Sequence, residues 1–194
     1  ACERIAGTTK KLEKIAIVAE YLKAIAPDEA SLSAVFLSGR PFPVWEETTL
    51  QIGGRVLWRI VAELAGKSEA ELTAVYRKVG DLGAVAEAVL PASTKTHVGT
   101  GAPARPGRAT PGSSLLSVPH VAAKFREIAT ARGPAVKAAL TQELLSQAPP
   151  FDAKDLAKIM TRERCNGLKV SLLQTANAKA PRPPHSAARR PTPL

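Results

Sequence analysis

The chain has 194 residues, 45% of them hydrophobic and only 4% aromatic, with 27 basic side chains against 17 acidic ones. A core of that composition suits helices packed on helices better than sheets, which draw on aromatic and β-branched residues. No apolar run approaches a membrane span, Cys2 and Cys165 make no disulfide framework, and a net charge of +10 points to a polyanion partner, nucleic acid before anionic lipid.

In chain order, Thr8 or Thr9 is placed to cap a first helix, along which Leu12, Ile15, Val18, Ala19, Leu22 and Ile25 recur at spacings of three and four. Lys10, Lys11 and Lys14 fall on its opposite side near the start. Pro27 and Asp28 end that helix and open a short second one carrying Leu32, Val35 and Phe36, which Gly39 stops. The stretch from Arg40 to Gly53 has two prolines and no period, and reads as a connection that packs Phe42 and Trp45. Residues 54–65 are helical through Val56, Leu57, Ile60, Val61 and Leu64, and Gly66 closes them. Ser68 followed by Glu71 is a capping box for the next helix, with Leu72, Val75 and Tyr76 on one face. The "AGKS" at 65–68 resembles the end of a phosphate-binding loop but lacks the loop's first glycine, since position 61 is valine.

A further helix runs to Leu90 and stops at Pro91. Residues 92–116 are rich in Gly, Pro, Ser and Thr and read as a flexible linker. Ser117 with Pro119 opens a helix bearing Val121, Phe125 and Ile128; Gly133-Pro134 restarts the chain into one lined by Val136, Leu140, Leu144 and Leu145. Asp152 is placed to cap another, with Leu156, Ile159 and Met160, and a last helix opens near Asn166-Gly167 with Leu168, Leu172 and Leu173. From residue 177 onward the sequence is proline- and arginine-rich without an apolar face, and is expected to be a disordered basic tail. The fold class is therefore all-α, in two similar halves, residues 1–91 and 117–176, joined by the linker 92–116. A faint repeat supports this: Lys14 and Lys137, like Leu22 and Leu145, are 123 residues apart (137 − 14).

The charge is uneven. Residues 1–90 hold 11 basic and 12 acidic side chains; the remainder hold 16 and 5. Within the neutral half, "RKVGDLGAVAEAVL" (77–90) places Gly80 and Gly83 in an otherwise strongly helical stretch, where each costs about 1 kcal/mol relative to alanine. One reading is structural: Gly80 stops a helix, Asp81 caps the next, and Gly83 lets two helices touch. The other is functional: a helix start without a Cβ lets a phosphate approach the free amides and the positive end of the helix dipole. Asp81 opposes the second reading unless its carboxylate turns back onto its own backbone.

Three segments together resemble the N-terminal DNA-binding domain of ATP-dependent DNA ligases: "TTKKLEKIAIVAEYL" (8–22), "YRKVGDLGAVAEAVL" (76–90) and "ARGPAVKAALTQELLSQAPPFDAKDLAKIM" (131–160). The resemblance covers roughly residues 3–176. It implies an all-α domain of two pseudo-symmetric halves that lies in the minor groove of nicked duplex DNA and touches phosphates through helix starts and lysines, with little base reading. By position it assigns DNA contact to Thr9, Lys10, Lys11 and Lys14; to Gly80, Asp81, Leu82 and Gly83; to Gly133 and Lys137; and to Arg164, Asn166, Gly167, Leu168 and Lys169. The family's arginine position in the last group holds Cys165, with Arg164 one residue early, a shift that turns a side chain by about 100° on a helix start.

The family's nucleotidyl transfer needs a lysine in a Lys-x-Asp-Gly motif, and no lysine here begins one; Lys78-Val-Gly-Asp has the wrong order. The chain thus reads as a truncated ligase, inactive alone and with no cofactor of its own; ATP and a divalent metal would belong to a missing catalytic domain. His97, His120 and His185 have no metal-ligand spacing. The expected role is sequence-tolerant binding of duplex or nicked DNA in ligation during repair, replication and recombination. Two alternatives stay open: a helical protein-interaction module with incidental polyanion binding, and a ligase subunit whose catalytic part lies on a separate chain. The absence of a signal-peptide pattern and of a disulfide framework leads to the expectation of a cytoplasmic protein, nucleoid-associated if bacterial.

Overall fold

The computed structural model describes residues 2–91 and 116–162, and among them the only regular elements are nine α-helices. In chain order these are α1 (Cys2–Ala6), α2 (Lys11–Ala24), α3 (Pro27–Leu37), α4 (Gly54–Ala65), α5 (Glu69–Val79), α6 (Leu82–Val89), α7 (Val118–Thr130), α8 (Pro134–Gln147) and α9 (Pro150–Met160). The expected linker, the last helix and the basic tail lie outside the described residues.

Local chemistry accounts for most of the boundaries. Ser68 and Glu71 form the reciprocal capping box at the start of α5. Ser117 accepts from the His120 amide to start α7. Gly66 and Gly80 end α4 and α5 with φ of 61° and 86°, the left-handed conformation that glycine adopts without a Cβ clash. Prolines open α3, α8 and α9 in the first turn, where their missing N–H has no helical partner to lose.

Two helix pairs repeat in register. Helix α8 begins 123 residues after α2 (134 − 11), and both have 14 residues; α9 begins 123 after α3 (150 − 27), and both have 11. The residues that follow each pair also correspond: Gly39 and Arg162 are 123 apart, and both are left-handed, with φ of 76° and 58°. For an arginine that conformation costs about 1–2 kcal/mol.

The main core joins α4, α5, α6, α7, α8 and α9 through Leu57, Val61, Leu72, Val85, Phe125, Ile128, Leu144, Leu145 and Ala157. Phe36 and Phe125 meet edge to face at 5.5 Å, tying α3 to α7. A smaller cluster at the N-terminus packs Ile5, Ile15, Ile17, Val18, Ala19, Leu22 and Leu37. Full burial of a Leu, Ile or Phe in such a core is worth about 1.5–3 kcal/mol each.

Four local expectations are corrected. Helix α2 has Lys10 at its N-cap without a side-chain bond; Thr8, not Thr9, faces that turn, accepting from the Lys10 amide and donating to Glu13. Leu12 is 75% exposed, because the buried stripe of α2 runs through Ile15, Ile17, Val18 and Leu22 and leaves the first turn over open solvent. Asp152 does not cap α9; Pro149 takes the cap position with no side-chain bond, and the aspartate sits inside the first turn. Trp45 is 82% exposed where packing was expected. A tight turn with Glu46 N–H on Pro43 C=O puts Val44 and Trp45 at the protruding tip, while Phe42 turns inward.

Candidate nucleic-acid interface

The turn between α5 and α6 shows where the two glycines go. Gly80 is exposed, and a Cβ built there would meet nothing within 4 Å; its left-handed φ is what requires glycine. Asp81 caps α6, accepting from the Ala84 amide at 2.7 Å. Its second oxygen lies 3.5 Å from Lys158 Nζ of α9, so the carboxylate is both turned back onto its own backbone and neutralised. Leu82 and Gly83 are buried. A Cβ at Gly83 would fall 2.7 Å from the Lys154 carbonyl oxygen and 2.9 Å from Lys158 Cγ, so this glycine sets the close approach of α6 to α9. The expectation that Leu82 and Gly83 offer a surface to phosphate is corrected accordingly; Gly80 and Asp81 reach solvent, with exposed Arg77 and Lys78 in the preceding turn. Lys154, at 2.6 Å from Glu87, closes the same helix contact, and that hydrogen bond raises its pKa.

At the start of α2, Thr9, Lys10 and Lys11 are exposed, and Lys14 is half-buried. Gly133 and Arg132 are exposed before α8, and a Cβ at Gly133 would meet nothing within 4 Å. The first turn of α8 is therefore open to a ligand, with Gly133 left-handed at φ 91°.

Lys137 is placed differently from what the resemblance implies. It is 6% exposed, and its ammonium donates to the Leu50 carbonyl (3.4 Å), Gln51 Oε1 (3.0 Å) and the Ala129 carbonyl (3.2 Å). An ammonium has three protons, and all three are held inside the protein. Its work is to pin the connection between α3 and α4 onto the end of α7. That connection is fastened a second time by Arg126, which forks onto both Glu46 oxygens at 3.0 and 3.2 Å and lies 6.0 Å from the Phe42 ring centre. Arg164, Asn166, Gly167, Leu168 and Lys169 lie outside the described residues.

The connection encloses features that sequence reasoning missed. A cavity of about 520 Å3 is lined by Thr49, Gln51, Gly54, Thr161 and Arg162 among others. A second, of about 390 Å3, is lined by Gly39, Arg40, Glu46, Glu47 and again Arg162. Arg40 and Arg162 are exposed and make no ion pair with another described residue. The offset of 123 makes Arg162 the counterpart of Gly39, but that the two lie on one cavity with Arg40 is seen only in the folded chain.

A third cavity, about 550 Å3, lies between α3 and α9 and is mainly apolar, with Phe36, Leu37, Val121 and Ile159 in its wall. Asp155 also lines it, and burial pushes its carboxyl above the ordinary aspartate range, against a hydrogen bond from Cys2. Among the described residues no group of His, Cys, Asp and Glu could hold a metal ion, and no helix is long and apolar enough to cross a membrane.

Residues 1–178 match the family model described as DNA ligase N terminus. The chain is 45% identical over 179 residues to a probable DNA ligase of Koribacter versatilis, covering 92% of this chain and 28% of that protein. It is 36% identical to a probable DNA ligase of Opitutus terrae, over 97% of this chain and 20% of that protein. A DNA ligase of Methanopyrus kandleri is 28% identical over 93% of this chain and 31% of its own length. The chain thus spans less than a third of each of these relatives.

Proposed function

The chain belongs to the DNA ligase N-terminus family, and from that premise we propose that it binds duplex DNA, nicked or intact, through the phosphate backbone and without strong sequence preference. The observation that carries this reading is a set of exposed cations beside helix starts: Lys10 and Lys11 before and in the first turn of α2, Arg132 before the exposed Gly133 that opens α8, and Arg77 and Lys78 before the Gly80-Asp81 turn. Ammonium and guanidinium groups attract the polyphosphate and displace its counterions; the free N–H groups of a helix start donate to an anion at short range.

In this reading the backbone contacts position the domain and base edges contribute little. Lys154 and Lys158 stay committed to Glu87 and Asp81 and hold α6 on α9. Lys14, Thr9, Arg164, Asn166, Gly167, Leu168 and Lys169 belong to the proposed contact set as the resemblance assigns it, while Lys137 acts from inside. Strand joining, ATP and a divalent metal would belong to a catalytic region outside this chain, and a separate catalytic domain is a proposed partner; joining in repair, replication and recombination is the process it would serve.

Binding of unrelated duplex sequences, with and without a nick, tests the reading. Comparable affinity for all of them is expected, and most of it should survive removal of residues 177–194. Binding confined to one sequence would point to base readout. Loss of all affinity with the tail would leave the helical body as a protein-interaction module.

A further inference from the structure

Among the described residues only Gln51 and Arg162 are left-handed without being glycine, and both line the 520 Å3 cavity between the α3–α4 connection and the end of α9. We infer that this cavity and its 390 Å3 neighbour form one groove that seats the backbone phosphates of duplex DNA, with Arg40 and Arg162 as the contacting cations. The inference rests on the reading of the chain as a DNA-binding domain and adds a contact surface that the resemblance does not assign.

The helix repeat provides the first argument. Gly39 and Arg162 hold equivalent places after α3 and α9, and both line the 390 Å3 cavity. The two repeated units therefore meet at this groove. Glycine satisfies the left-handed turn in the first unit. In the second the turn is strained by an arginine, and residues kept in such conformations cluster at ligand clamps. An exposed guanidinium on the wall of the groove gives that side chain a role.

The chemistry of the lining provides the second. The Thr49 hydroxyl and the Gln51 side-chain amide offer neutral hydrogen-bond donors in the lining, and Gly54 leaves the wall open on the α4 side. Guanidinium groups recognise phosphate in a planar, forked geometry. Two carboxylates line the smaller cavity: Glu46 is held by Arg126, and Glu47 stands exposed on the rim.

Rigidity provides the third. Lys137 fixes Leu50 and Gln51 from within, and Arg126 fixes Glu46 and Phe42 from outside. Between these fastenings the wall of the groove is set before any ligand arrives, so a phosphate would find its donors already arranged.

The test uses the full chain with a labelled nicked duplex, titrated from about 50 to about 200 mM salt. Arg40 and Arg162 are exposed and their side chains make no described hydrogen bond, and glutamine removes the charge while keeping an unbranched polar side chain. The R40Q/R162Q double variant should keep the wild-type melting temperature, and its plot of log affinity against log salt should be shallower by about 0.9 for each lost phosphate contact. Arg40→Glu alone should weaken binding at low salt for every sequence, and Glu47→Gln should strengthen it. If the wild type binds and the double variant binds with the same affinity and slope, the groove assignment is overturned while the DNA-binding reading stands. If the wild type binds no duplex at all, that reading fails and the groove assignment fails with it.

Discussion

The position of a Cβ on Gly83 lies 2.7 Å from the carbonyl oxygen of Lys154. No real Cβ sits so close to a backbone atom, so the absence of this one carbon fixes how tightly α6 lies on α9. Lys154 then bonds Glu87 on α6, and Lys158 faces Asp81. The contact between these helices is a structural unit built from one glycine and two lysine–carboxylate pairs.

Gly83→Ala should therefore lower the stability of the domain by about 1–3 kcal/mol, the usual penalty for forcing atoms into a filled core. Denaturant unfolding measures it. DNA affinity per folded molecule should be unchanged. A variant that folds as well as the wild type but binds DNA poorly would return Gly83 to the role of phosphate contact.

The two roles of Gly83 show what the sequence could and could not carry. The glycines, the Asp81 cap, the Ser68–Glu71 box and the helical repeat were all legible, because each depends on residues a few positions apart. Which reading of Gly83 holds depended on Lys154, 71 residues away (154 − 83). The DNA contact that the resemblance assigned to Lys137 was beyond local pattern for the same reason: its partners Leu50 and Gln51 are more than 80 residues away and meet it only in the folded chain. Trp45 was expected inside on hydrophobicity alone, whereas the Pro43–Glu46 turn decides its direction. Arg40 and Arg162 carry no local motif, and only the folded chain brings them to one cavity.

Lys137→Met keeps the length of the side chain and removes its three protons. Leu50 C=O, Gln51 Oε1 and Ala129 C=O lose a common donor, and an orphaned buried acceptor costs about 1–3 kcal/mol. Amide exchange around residues 50–52 should accelerate. If Lys137 acts from inside, the salt slope of DNA binding stays as in the wild type. A slope shallower by about one would mean that its ammonium reaches a phosphate after all.

Asp155 has a folded pKa above its unfolded one, because burial beside the apolar cavity outweighs the help of Cys2, Lys154 and Lys158, with Asp152 adding repulsion. The folded state therefore holds this proton more tightly than the unfolded state, and stability falls as pH rises through the folded pKa. Asp155→Asn should be more stable than the wild type at neutral pH, with the gap closing below about pH 4, where an ordinary aspartate is protonated. Melting temperatures of the two proteins across that range check it; a gap that widens in acid would mean that the carboxylate is stabilising.

Lys10 and Lys11 are exposed and are not part of the main core. Changing both to alanine should leave folding intact and weaken DNA binding to all sequences alike, with a slope shallower by about two if each meets one phosphate. A loss restricted to one sequence would show that this helix start reads bases.

The central claim is that affinity comes from phosphate contacts made by the cations of a helical domain. Its most direct test is the salt dependence of wild-type binding to several unrelated duplexes. The account predicts one steep line shared by all sequences, log affinity falling with log salt by about 0.9 for each phosphate held. A flat line, or different lines for different sequences, would contradict it.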